Sequence, residues 1–142
     1  MTPSTPADLL RGWFEKVWNE RRADLISVYA SPTSVIHALD ETGGAASGPE
    51  GFRLFYDKIL GALPDIHFTI HEVIESGATA AGRWTATATH QGDQLGTKAT
   101  NNPVTISGMS ILRTENGQIV EGWNEWDKLA LAVAIGAVAP VR

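Results

Sequence analysis

The chain contains no cysteine. Disulfides and thiolate chemistry are therefore excluded, and nothing marks a disulfide-built secreted scaffold. Positive charge is scarce as well: 11 Lys and Arg stand against 16 Asp and Glu, a formal net charge of −5. Nucleic acid, which usually requires a basic face, is not an expected partner. No apolar run reaches the roughly 20 residues that a membrane helix needs. The longest, LALAVAIGAVA at 129–139, is too short, so no membrane partner is expected. The opening MTPSTPADLL has neither a basic start nor a long apolar core, so no signal peptide is expected and the protein is placed in the cytoplasm. The four histidines are scattered and no CxxC or HExxH spacing occurs, so a protein-built transition-metal site is not expected. His67 and His71 share one strand face, but four residues of strand separate them by about 13 Å, too far to hold one ion.

What is present suffices for one domain over residues 1–142, with 1–5 expected to be disordered. Thr5-Pro6-Ala7-Asp8 reads as a helix start: a cap, a first-turn proline and an acid at the dipole end. Leu9, Leu10, Trp13, Phe14, Val17 and Trp18 follow at helical spacing. A second short helix is expected over 23–29, ended by Pro32. Val35 to Leu39 is strand-like, and Gly43 to Gly48 reads as a flexible loop. That loop is no phosphate cradle, because no GK[ST] follows it. Pro49 opens a third helix, with Phe52, Phe55, Tyr56, Ile59 and Leu60, that stops before Pro64.

The periodicity then changes from helical to alternating. Ile66, Phe68 and Ile70 alternate with His67, Thr69 and His71; Trp84, Ala86, Ala88 and His90 alternate with Arg83, Thr85, Thr87 and Thr89. These strands pair about Gly77. After a polar loop at 91–102, residues 104–113 and 118–126 form a second hairpin around Asn116-Gly117. Asp127 is placed to cap a last helix and Gly136 to stop it. Helices first and an antiparallel meander after them define an α+β class, with helices laid on one face of a curved sheet.

The second turn decides which side chains meet. A two-residue turn would set Ser110 on the face of Trp123. A three-residue turn with Gly117 left-handed moves the register by one, so that Ser110 shares a face with Gly122, Asn124 and Trp126. The second register is preferred because it groups Val104, Ile106, Leu112, Val120 and Trp126 inside. Gly108 and Gly122 are then expected to leave room beside the inward Ser110 and Asn124. Trp123 is expected outside.

The segments VWNERRADLISVYA, SGPEGFRLFYDKILGALPDIHFTIHEVIESG, GRWTATATHQG and GMSILRTENGQIVEGWNEWD, in that order, resemble the SnoaL-like polyketide cyclase family over roughly residues 13–136. The resemblance implies a nuclear transport factor 2-like (cystatin-like) fold. In it, a curved antiparallel sheet and N-terminal helices form a cone with an internal pocket, often in a dimer. It also implies intramolecular aldol condensation without metal or cofactor, in which a pocket carboxylate moves a proton next to a carbonyl. By register, the family's working aspartate falls on Asn124 and a helper histidine on Ser110. The chain departs at both: an amide is no base, though it can donate to an oxyanion.

The candidates each have a structural alternative. His90 at a pocket rim would be a general base, or else a histidine bonded to loop backbone. Asp127 would be the nearest carboxylate, or only the helix cap. His37 would be a second base, or a satisfied core histidine. Asn124 and Ser110 would hold a substrate oxygen, or Asn124 would tie strand to helix. Trp126, Trp84, Trp18 and Tyr56 would form apolar walls, or plain core. The threonine-rich outer face suits a homodimer. Two functions follow: cofactor-independent proton transfer (cyclisation, isomerisation or dehydration) on a small hydrophobic carbonyl compound, or non-catalytic binding of such a molecule.

Overall fold

The computed structural model describes residues 5–40 and 42–140. The expected disorder of 1–5 lies outside them except at Thr5, whose side chain accepts from the Asp8 N–H and caps α1 (Pro6–Gly12). The helix does not stay α-helical. Trp13–Asn19 is wound as a π-helix, whose wider turn places residues five apart on one face. Trp13, Phe14, Val17 and Trp18 are all buried. After a 3₁₀ turn (Ala23–Leu25) and α2 (Ile26–Tyr29), β1 (Ala30–His37) begins at once. Pro32 therefore sits inside a strand rather than after the helix. It falls in the stretch where the pairing of β1 with β6 shifts register, between Ala30 and Val35, which tolerates a residue without an N–H. Within the expected 43–48 loop, Ala46–Ser47 forms a two-residue strand, β2, against Val35 and Ile36. Helix α3 (Gly48–Ala62) precedes β3 (His67–Ser76), β4 (Thr79–Thr89), β5 (Pro103–Glu115), β6 (Gln118–Trp126) and α4 (Lys128–Ala134).

The six strands run in the order β2-β1-β6-β5-β4-β3. The meander β3 to β6 is antiparallel as expected. β1 instead joins β6 in parallel, because the chain between them returns through the helices and the whole meander. Helices α1 and α3 cover the inner face, and the buried cluster lies between them and Trp84, Ala86, Ala88, Val104, Ile106 and Leu112.

The β5–β6 hairpin reaches the preferred register by a different route. Asn116 and Gly117 both have positive φ, 52° and 75°, as a two-residue type I′ turn demands. Thr114 then faces Ile119, but Arg113 faces Glu121, so Val120 is an extra residue. This β-bulge supplies the one-residue shift that a longer turn was expected to supply. Below it Ser110 pairs with Asn124 and Gly108 with Trp126. Above it Ile119, not Val120, is the buried residue. Gly108 does not open a void. A Cβ there would lie 2.4 Å from the Trp84 ring, so the glycine is where that indole lies flat across the neighbouring strand.

Candidate functional site

Between helices and sheet lies a cavity of about 80 Å3. The π-helix lends it Trp13, Phe14 and Trp18; α3 lends Phe52, Phe55 and Ile59; β3 and β4 lend Phe68, Trp84 and Ala86. Ile36 comes from β1, Ser110 from β5, Asn124 and Trp126 from β6, and Leu131 from α4. The cavity is well below the ~300–1,000 Å3 of ordinary ligand clefts, so a guest larger than a small ring must move side chains of its wall. Among the described residues that line it, none is acidic, basic or a histidine.

Its polar groups form one chain of hydrogen bonds. The Trp84 indole N–H donates to Ser110 Oγ (3.0 Å), Ser110 Oγ donates to Asn124 Oδ1 (2.6 Å), and Asn124 Nδ2 donates to the backbone carbonyl of His37 (3.0 Å). The chain fixes which way the amide points. Turned over, Asn124 would set its own oxygen against the His37 oxygen, two acceptors with no proton between them. The amide keeps a second N–H on Nδ2, for which no protein acceptor occurs among the described residues. Two residues further along β6, the Trp126 indole donates to the Ala38 carbonyl (3.2 Å), so two β6 side chains hold the end of β1.

The other candidates lie elsewhere. His37 is one residue out of phase with the wall: Ile36 faces the cavity and the His37 ring faces the outer side. There its Nε2 is 2.7 Å from Glu121 Oε2, and its ring stacks on Trp123 at 5.7 Å. The hydrogen bonds from His37 and then Arg113 hold the Glu121 carboxyl below its ordinary range. His90 is fully buried but is not part of the cavity wall. Its Nδ1 accepts from the Thr100 N–H (3.2 Å) and meets the Thr100 hydroxyl (3.0 Å), while its own backbone pairs with Asn101 and Asn102. It binds the 91–102 loop to the end of β4. Its Nε2 has no partner among the described residues. Asp127 is exposed and caps α4 through the Ala130 N–H (2.9 Å). Tyr56 is buried, donates its hydroxyl to the Val17 carbonyl (2.9 Å), and is core rather than wall. Burial pushes its phenol above the usual range. The structure thus brings together Asn124, Ser110, Trp126, Trp84 and Trp18, and separates all three proton-transfer candidates from them. Sequence reasoning missed Ile36, Phe52 and Leu131 as wall residues. Among the described residues no three His, Cys, Asp or Glu side chains converge as a metal site would require, and no helix is long and apolar enough to cross a membrane.

A curled, unclosed sheet with helices over its inner face defines an α+β class of fold, here with an apolar cavity between its layers. Within that class the chain belongs to the SnoaL-like polyketide cyclase family, whose model matches residues 8–135. Solved structures repeat the fold. AclR from Streptomyces galilaeus, proposed to be a hydroxylase, is 26% identical with a TM-score of 0.80, over 94% of this chain and 82% of AclR. IdmH from Streptomyces antibioticus, proposed to be a polyketide cyclase, is 24% identical with a TM-score of 0.80, over 94% of this chain and 99% of IdmH. A SnoaL-like protein from Jannaschia sp. CCS1, also proposed to be a polyketide cyclase, is 19% identical with a TM-score of 0.81, over 99% and 100% of the two chains. No curated protein sequence matches the chain.

Proposed function

We propose that the protein binds a small hydrophobic carbonyl compound in this chamber and promotes a ring closure, isomerisation or dehydration by holding the carbonyl oxygen on the Asn124 amide. The observation that carries the reading is the oriented amide. Its oxygen and one N–H are committed to Ser110 and His37, and its second N–H has no acceptor among the described residues. A fixed donor at an apolar wall stabilises charge that develops on a carbonyl oxygen when the adjacent carbon loses a proton. The wall supplies shape, which folds a flexible poly-carbonyl chain onto itself. The proton leaves to water or to the substrate's own oxygen, since no titratable side chain stands at the wall. That same feature favours the second reading, a carrier that binds the compound without turning it over.

Tryptophan fluorescence reports binding, because Trp13, Trp18, Trp84 and Trp126 all touch the cavity. The wild type is expected to bind a bicyclic aromatic ketone about two- to tenfold more tightly than the matching hydrocarbon, the worth of one hydrogen bond. Asn124→Leu is expected to erase the preference; an unchanged preference overturns the site. A poly-β-keto test substrate then cyclises faster with protein than in buffer if the protein is an enzyme, and at the buffer rate if it is a carrier. Asn124→Asp, which adds an acid at the wall, changes turnover only in the first case.

We also propose a homodimer through the outer sheet face. Register places His37, Trp123, Ile111, Ala81 and Ile74 side by side across five strands. Beside this row runs Glu125, Met109, Arg83 and Glu72. A two-fold axis along β5 would set Trp123 over the second copy's Ala81, large on small, and Glu125 over the second copy's Arg83, opposite in charge. Ile74 and Met109, 67% and 61% exposed, gain most from the cover.

A further inference from the structure

We infer that His37 and Glu121, on the outer face of the sheet, are positioning residues for the Asn124 donor inside the cavity. The inference rests on the reading of Asn124 as the group that meets the ligand. His37 is the last residue of β1. The parallel ladder with β6 is regular only from Val35 to His37, and the chain then leaves the sheet through Ala38, whose φ is +59°. A short parallel ladder ending in a left-handed residue is a weak anchor. The His37 carbonyl is nevertheless what orients the Asn124 amide. A carbonyl free to swing would release that N–H and let the amide rotate.

The side chain adds an anchor at His37 itself, beside the Trp126 bond to the Ala38 carbonyl. From the outer face, Glu121 Oε2 meets His37 Nε2 at 2.7 Å while Glu121 Oε1 accepts from Arg113 Nη2 at 3.2 Å. The ladder partner of His37 is Trp123, and the two rings stack at 5.7 Å and 21°. β6 therefore holds His37 from two sides: Glu121 and Trp123 grip its ring outside, and Asn124 takes its carbonyl at the cavity. Neither His37 nor Glu121 lines the cavity, so any effect on a ligand is indirect, and the amide itself must be read to show that it passes through Asn124.

The test uses Glu121→Ala, with Glu121→Gln as the conservative variant and Asn124→Leu as the reference. Side-chain amide NMR reads the donor without any ligand. In the wild type one Asn124 amide proton is expected downfield of its partner and slow to exchange, as the bond to His37 demands. In Glu121→Ala the two protons are expected to converge and exchange faster. Glu121→Gln, which keeps an acceptor for the His37 ring, is expected to stay close to the wild type. The ketone-to-hydrocarbon affinity ratio should fall in Glu121→Ala by about two- to tenfold, toward that of Asn124→Leu, with hydrocarbon affinity unchanged. An unaltered amide pair and an unaltered ratio in Glu121→Ala overturn the inference. His37→Leu, which keeps bulk and removes the ring bond, must give the same results if the alanine variant folds poorly. A wild type with no ketone preference, yet an amide pair that moves in Glu121→Ala, refutes the ligand reading of Asn124 and leaves the positioning of the amide standing.

Discussion

Ser110 bridges a donor and an acceptor. The Trp84 N–H donates to it and Asn124 Oδ1 accepts from it. Ser110→Ala removes both bonds in a buried place, and should destabilise the fold by about 1–3 kcal/mol, measured by urea unfolding. Ser110→Thr keeps the hydroxyl and should cost less; equal loss in both would mean that volume, not hydrogen bonding, is what the site feels. The acid dependence of stability also has residue-scale sources. Burial pushes the Asp65 carboxyl up, but bonds from the Thr89 hydroxyl and N–H outweigh it and hold the group below its ordinary 3.8. A lowered folded-state value means that the contribution is complete above 3.8 and is lost as pH falls through that lowered value. Glu121, held below 4.5, acts in the same sense. Stability should therefore fall on acidification below about pH 4, and Asp65→Asn should flatten part of that fall. An identical pH slope in the variant would remove Asp65 from the explanation. Legibility at this scale was uneven. Ser110 and Asn124 could be read as inward because a hairpin register links them. His37 could not be assigned a face, because Val35, Ile36 and Leu39 make both sides of that strand look apolar.

Elements are where local and long-range information part. Helix starts, the position but not the type of the Asn116-Gly117 turn, and the Asp127 cap are written in neighbouring residues and were readable. The bulge at Val120 was not, since it depends on Ile119 finding the core while Arg113 stays paired with Glu121 outside. The parallel β1–β6 pairing joins residues more than 80 positions apart and leaves no local pattern. The π-helix hides for another reason: Trp13, Phe14, Val17 and Trp18 suit a 3.6-residue period as well as a wider one. Gly108 tests the packing of elements directly. Gly108→Ala forces the Trp84 ring off the strand and should cost about 1–3 kcal/mol, as overpacking does, visible as a lower melting temperature and a shifted tryptophan emission. Asp127→Ala should cost about 1 kcal/mol through the lost cap. The account expects it to leave the ketone preference intact, because Asp127 is off the wall.

For the whole molecule, the fold class and family were legible because the order of segments carried them, while the chamber's chemistry was not. The expected acid–base residues His90, Asp127 and His37 are respectively a loop anchor, a helix cap and an outer-face partner of Glu121. What is left at the wall is a single oriented amide in an aromatic shell. On the outer face, Trp123→Glu should convert a dimer to a monomer in sedimentation velocity, while Leu54→Glu on α3, equally an acid replacing an exposed apolar residue, should not. A wild type that sediments as a monomer at all concentrations would end the dimer proposal.

The central claim is that the Asn124 N–H meets a carbonyl oxygen in the chamber. Infrared difference spectroscopy of a bound ketone carrying a ¹³C=¹⁸O label measures this contact at the bond concerned. A carbonyl stretch lowered on binding to the wild type and restored to its hydrocarbon-solvent position in Asn124→Leu is the expected result. A bound ketone whose stretch is the same in both proteins would contradict the account.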